Sequence, residues 1–256
     1  MLILTHIALP PVLVGPLRVT VLLNAPPPGQ ALNELSHLAT QLFQLARLGA
    51  YVPEGIHPKD ASFEVTEERR LLNGIVWDCR VNGIDHRIAQ LLRNDLVMYN
   101  QVYHPVQRME IEILTKPPLP AGHLPALGSK SLSDTYPPQF GNLSFNIKHE
   151  PLEYSGGGRR VEIVFSDFLS DQAVKQILDW LDLWADVSRG AYAENESDAE
   201  TGECAIFDAE ADIVDDHAIE MLIEMFGAPE QAWNSLLNLC ERISSNIARV
   251  SMVIIQ

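Results

Sequence analysis

The sequence predicts an α+β chain built as two consecutive modules of the same βαββαβ order. Three observations carry that reading. Segments of two-residue alternation and segments of helical spacing follow one another in one order twice, the two runs are nearly equal in length, and a proline-rich stretch separates them. At 256 residues the chain suffices for two domains of ordinary size, each able to bury a core without disulfides or metal. The expected boundaries are 1–115 for the first module with an N-terminal arm, 116–158 for a connector and 159–256 for the second module.

The opening run MLILTHIALPPVLVGP is apolar but broken by Pro10 and Pro11, too short to span a bilayer, and without Lys or Arg before Arg18. It is expected to add a strand or a packed arm. Leu17 to Asn24 reads as the first strand of the module, and Gln30 to Leu48 as a helix with Leu35, Leu38, Leu42, Leu45 and Ala46 on one stripe, stopped near Gly49. Residues 62–72 and 75–82 flank Asn73-Gly74, the pair that best suits a type I′ hairpin turn. Asp85 is positioned to cap a helix through Tyr103, and Val106 to Ile113 closes the module as a strand.

The second module repeats the order with other residues. Arg160 to Ser166 alternates, Ser170 caps a helix carrying Val174, Ile177, Leu178, Leu181 and Ala185, and CAIFDAEADIV and AIEMLIEMF form a hairpin around Asp215-Asp216-His217. Pro229-Glu230 opens a helix with Trp233, Leu236, Leu237, Cys240 and Ile243 inward, and Arg249 to Ile255 is the closing strand. First strand to last spans about 97 residues in one module and about 96 in the other. Right-handed crossovers applied to βαββαβ give an antiparallel sheet with both helices on one face, the ferredoxin-like arrangement, so the expected fold is two tandem ferredoxin-like modules. The connector contains Pro117, Pro118, Pro120, Pro125, Pro137, Pro138 and Pro151, ends in Gly156-Gly157-Gly158, and leaves room for a short strand at Leu143 to Ile147.

Charge separates the modules. Residues 1–115 hold 11 acids and 9 bases, residues 116–158 hold 3 and 3, and residues 159–256 hold 20 and 6, so the last module carries -14 of the net -16. Such a field disfavours nucleic acid and anionic membrane and favours a cationic partner. The hairpins differ in the same way. A two-residue Asn73-Gly74 turn would set Arg69 across from Asp78 and Glu67 across from Arg80. In the second hairpin the apolar alternation stays in phase only if Asp212 faces Glu220, Glu210 faces Leu222 and Asp208 faces Glu224, which sets acid against acid twice.

Asp208, Glu210, Asp212, Asp215, Asp216, Glu220 and Glu224 are therefore the candidate partner-binding residues, with Glu194, Glu196, Asp198, Glu200 and Glu203 adding to the field. A solvated, solubilising face is the plainer reading of the same acids. Calcium would suit carboxylates, but no D-x-[DN]-x-[DN]-G loop is present. Asp215, Asp216, His217 and Glu220 read as a polar turn before they read as an acid–base pair or metal site. Cys79 and Cys240 fall on inward stripes and read as buried structural thiols, and with Cys204 they make an odd, widely spaced set that suggests neither disulfides nor zinc. Trp180 and Trp184, one turn apart, are expected to pack, and Gly156-Gly157-Gly158 precedes a strand and reads as a hinge, not a phosphate loop. His37, His86, His104 and His149 have no spaced partner of ligand type.

No catalytic residue, metal or cofactor is expected. The expectation is a cytoplasmic, non-enzymatic acidic protein-binding module that occludes a basic partner, for instance as an inhibitor or immunity protein against a nuclease toxin. The rival class is a small-molecule sensor or enzyme using the cleft between the modules or the uncovered sheet face. A structural subunit of an oligomer would instead expose an apolar sheet face.

Overall fold

Alternating apolar residues commit each half of the chain to strands with one buried side, and the helical stripes supply the surface that covers it. The computed structural model describes residues 3–5, 9–24, 27–114, 143–149, 158–192, 206–225 and 230–256. In the first half these form β1 (Ile3–Thr5), β2 (Val12–Leu23), α1 (Gly29–Arg47), β3 (Ser62–Leu71), β4 (Gly74–Asp85), α2 (Ile88–Val102) and β5 (Val106–Ile113). In the second half they form β6 (Asn146–His149), β7 (Gly158–Phe165), α3 (Asp171–Ala191), β8 (Ile206–Asp215), β9 (Ala218–Met225), α4 (Glu230–Asn246) and β10 (Val250–Ile255).

The fold is mixed α+β with two sheets. In the first, β5, β2, β4 and β3 lie antiparallel in that order, and β1 joins parallel to β5; in the second, β10, β7, β9 and β8 lie antiparallel, and β6 joins parallel to β10. The two additional edge strands are the N-terminal arm and a piece of the expected connector. Gly156 and Gly157 lie outside the described residues, and Gly158 opens β7.

Inward positions follow the predicted alternation. Leu17, Val19, Val21 and Leu23 of β2 and Ile75, Trp77, Cys79 and Val81 of β4 are buried under Leu35, Leu42 and Ala46 of α1 and Leu92, Leu96 and Tyr99 of α2. Val161, Ile163, Met221, Ile223 and Val253 play the same part under Ile177, Leu181, Trp184, Leu236, Leu237 and Cys240. Each such side chain contributes about 1.5–3 kcal/mol through burial.

Ser170 caps α3 as expected, its Oγ accepting from the Ala173 amide at 3.2 Å. Gly49 follows α1 at φ +79°, and an added Cβ would lie 2.6 Å from the Pro58 carbonyl oxygen, so the helix ends on a residue that only glycine can supply.

Two local expectations are corrected. Asp85 does not cap a helix: it ends β4, accepts from the Arg87 amide at 2.9 Å and bonds the Arg87 guanidinium, and α2 begins at Ile88. The first hairpin turns through Leu72 and Asn73, one residue earlier than the Asn-Gly pair suggests. Arg69 therefore faces Val76, Glu67 faces Asp78 and, past a bulge between Val65 and Glu67, Glu64 faces Arg80. The reason is packing against the neighbouring strand. Gly74 pairs with Leu22 of β2, where a Cβ would come within 2.2 Å of the Val21 carbonyl oxygen, so this glycine serves close strand approach instead of a left-handed turn.

The halves meet through their helices, with α1 and α2 packed on α3 and α4 set against the 3-10 turn at Pro58–Asp60. The junction is polar and largely filled. Asn238 donates to the Ala50 carbonyl at 3.1 Å. Trp184 Nε1 donates to Ser235 Oγ at 2.9 Å and Ser235 Oγ donates to the Ala232 carbonyl at 2.8 Å, which leaves the Tyr192 hydroxyl as donor to Ser235. Glu241, 1% exposed, accepts from Ser144 N (2.7 Å) and Ser144 Oγ (2.9 Å) and from His57 Nε2 (3.1 Å). His57 Nδ1 accepts from the Lys59 amide, which assigns its proton to Nε2 and makes it the donor to Glu241. The cavity left beside Tyr51, Asp85, Tyr192 and Asn238 is about 30 Å³, room for water and too little for a metabolite.

Candidate functional site

The charged hairpin adopts the register that its apolar alternation requires. Asp208 faces Glu224, Glu210 faces Leu222 and Asp212 faces Glu220, while Ala209, Ala211 and Ile213 face Ile223, Met221 and Ile219 on the other side. The chain turns at Asp216 and His217, and the irregularity between Ile213 and Asp215 takes up the odd residue. Glu210, Asp212, Asp215, Asp216 and Glu224 are exposed, and Glu220 is partly covered. The side chain of Asp208 lies outside the described residues, as do the loop acids from Glu194 to Glu203 and Cys204.

β7 extends this row. Glu162 pairs with Glu220, so Asp212, Glu220 and Glu162 stand abreast on three neighbouring strands, at a cost of a few tenths to about 1 kcal/mol per exposed like-charged pair. Arg160, two residues from Glu162 and far from Glu220 in sequence, relieves part of this repulsion by bonding Glu220 across the sheet. Glu220 is thus compensated by a base distant in sequence.

The helix beside the edge strand adds charge of the same sign. Asp179, Asp182 and Asp186 lie at i, i+3 and i+7 on the exposed face of α3, which packs on β8. Burial pushes the Asp182 carboxyl up, and Asp186, Asp179 and Glu210 push it further. α3 covers the other side of the sheet, so these three acids join the row only around the edge strand β8, where Glu210 acts on Asp182; their helical spacing was the available signal.

At the tip the acids border apolar surface. The carbonyls of Asp216 and His217 accept from Leu169 N (2.9 Å) and Phe165 N (2.8 Å), which ties the turn to the loop before α3. Asp215 Oδ1 accepts from the His217 amide at 2.7 Å, and the His217 ring stands 4.1 Å from that of Phe168. Phe168 is 74% exposed, Ile213 50% and Val214 46%. The tip therefore combines an exposed aromatic ring and two aliphatic side chains with Asp212, Asp215 and Asp216.

The first sheet offers the contrast. Arg18 stands between Asp78 and Glu112, bonding Asp78 at 2.6 Å, and Arg69 reaches the same carboxylate at 2.8 Å. The Arg18 hydrogen bond holds the Asp78 carboxyl below its ordinary value. Charges on that outer face are matched, though diagonally where the sequence suggested direct opposition.

Cys79 and Cys240 are buried, and burial pushes both thiols up to about 12, so neither is poised as a nucleophile. Trp184 packs, 1% exposed. Among the described residues no group of three His, Cys, Asp or Glu side chains is placed to hold a metal, and no helix is long and apolar enough to cross a membrane.

No family model matches the chain, and no curated protein matches it. Among solved structures, it is similar at 9% identity to the ferredoxin protease FusC in complex with Arabidopsis ferredoxin, covering 91% of this chain and 33% of that one, with a TM-score of 0.21. The chain thus spans about a third of that protein's length. A conserved protein from Enterococcus faecalis is similar at 9% identity, with 89% and 74% covered and a TM-score of 0.18. Neither likeness carries an argument about fold or function.

Proposed function

We propose that the chain is a pair of ferredoxin-like modules whose second module docks a basic protein on the helix-free face of β8 and β9 and along the β8 edge beside α3. The strand order β5-β2-β4-β3, repeated as β10-β7-β9-β8, supports the modular reading. The docking reading rests on the row Asp212–Glu220–Glu162 on the helix-free side of the sheet, where Arg160 offsets one carboxylate of the three, with Asp179, Asp182 and Asp186 adding like charge around the β8 edge. A face that retains repulsion is stabilised by a cationic partner, which such a field also steers to the site. Phe168, Ile213 and Val214 supply the apolar anchor that charge alone lacks. Function would follow by occlusion, as for an inhibitor or immunity protein that covers a basic active face such as that of a nuclease toxin.

The test is affinity capture from lysate of the source cells, purification of the retained basic protein, and calorimetry at about 0.1 and 0.5 M salt, where exposed charges are screened to different degrees. Binding should fall with salt and be lost in Glu210→Lys with Asp212→Lys, while Phe168→Ala should weaken it about ten-fold or more. Both acids are exposed, so the double variant should fold. Binding unchanged by salt and by the charge reversal, or retention of no basic protein, would sink the reading.

A further inference from the structure

We propose that the groove between α1 and β3 is a second, independent site that binds a small organic carboxylate with an apolar, ring-sized body, held by Arg47 and Arg242. The groove encloses about 580 Å³, a volume typical of small-molecule sites. It lies along β3, an edge strand, beside the last turns of α1. Val65, which pairs with buried Cys79 and so belongs to the helix-facing side, is left 40% exposed in the groove wall. Phe43 and Phe63, stacked with ring centroids 4.9 Å apart, line it as well. Both rings are nearly buried, at 5% and 3% exposure, so they back the groove, and Val65 supplies the apolar surface against which a ligand body can lie.

The polar side of the groove is cationic. Arg47 comes from the last turn of α1 and Arg242 from α4 in the other half of the chain, so the site exists only when the halves are packed together. Glu64 is the one acid in the lining, and strand register sets it opposite Arg80 on the outer face of the sheet. Two arginines in one groove invert the balance of a chain with a net charge of -16. Arg242 Nε is sealed from solvent and has no hydrogen-bond acceptor among the described residues. The sealed Nε is out of a groove ligand's reach, but the residue as a whole is only partly buried, and a carboxylate, which takes paired N–H bonds from a guanidinium, fits its remaining donors together with those of Arg47. Thr40 and Gln44, on successive turns of α1, flank the position with further polar groups.

The full-length chain is titrated calorimetrically with 1-naphthoate, with 2-naphthylmethanol as the uncharged control of similar shape. Saturable naphthoate binding is expected, at least about ten-fold tighter than the alcohol, and weakened about ten-fold or more by Arg47→Gln and by Arg242→Gln. Arg47 is exposed, so its replacement reports on binding even if Arg242→Gln lowers stability. Thr40→Trp, which fills the groove without altering its charge, should abolish binding. Absence of saturable binding in the wild type, equal affinity for the alcohol, or binding unchanged in both arginine variants would overturn the proposal. Naphthoate binding should persist with Glu210→Lys and Asp212→Lys, so failure of the docking reading and failure of this one are separable.

Discussion

Replacing Glu241 by Ala removes one carboxylate from the point where the first half, the second half and the segment before β6 meet. The wild-type group is 1% exposed and receives three hydrogen bonds, two from Ser144 and one from His57 Nε2. Bonds to a charged acceptor contribute about 1.5–3 kcal/mol each, but the variant does not lose the full sum, because His57 retains 21% exposure and can recover water. The Ser144 amide and hydroxyl lose a buried acceptor. Ser144 is itself exposed and its hydroxyl keeps Ser244 as a partner, so the net loss is that of about one such bond, about 1.5–3 kcal/mol, which for a chain of this size lowers Tm by about 3–12 °C.

Urea unfolding followed by tryptophan fluorescence and far-ultraviolet circular dichroism measures the loss. Trp77 lies in the first sheet and Trp180, Trp184 and Trp233 in the second half, so the fluorescence reports on both sides of the junction. Glu241→Gln should recover part of the stability, since its amide oxygen still accepts from Ser144. A loss below about 1 kcal/mol in the Ala variant, which is what a merely solvated surface charge would give, refutes the assignment of Glu241 as the joint. So does a Gln variant as damaged as the Ala variant.

Asp85 carries a pH signature. Burial alone would push its carboxyl up, but hydrogen bonds from His86 and Arg87 outweigh burial and hold it at about 2. A folded value below the ordinary carboxylate value of about 3.9 means stability that is fully present above that value and lost as pH falls through about 2, amounting to about 2 kcal/mol at neutral pH. Asp85→Asn should therefore trail the wild type by about that amount at pH 7 and draw level with it as acid unfolding is approached; a gap independent of pH in denaturant melts would contradict this. Gly74→Ala should cost about 1–3 kcal/mol or more by overpacking, because the new methyl meets the Val21 carbonyl and not a movable side chain. An unchanged urea midpoint would show that β2 and β4 can separate there.

Much of the fold was legible because its signals are local. Alternation found β7, β8, β9 and β10 within a few residues of their ends, Ser170 marked the start of α3, and phase alone set the register of the β8–β9 hairpin. The first hairpin departs from its local signal for a physical reason. Asn73-Gly74 carries a strong turn preference, but Gly74 is required by the close approach of β2, a strand some 50 residues earlier, and that contact overrode the local preference.

The candidate face was legible only in part. Glu210, Asp212, Asp215, Asp216 and Glu224 stand exposed on it, and their density in one segment betrayed them. Asp179, Asp182 and Asp186 were visible as a helical stripe, yet nothing in the sequence placed α3 against β8. The same limit hid Arg160, which neutralises Glu220 from another strand, and Phe168, whose exposure depends on how the loop before α3 meets the turn at His217.

By itself the sequence determined periodicity, strand and helix order, hairpin phase and the segregation of charge, since each depends on residues near one another in the chain. The tertiary structure decided which charges meet. It brought Arg160 to Glu220, Arg242 to the groove beside Arg47, and Glu241 to His57 and Ser144. Electrostatic and hydrogen-bond energies depend on distance and burial in space, and separation along the chain specifies neither.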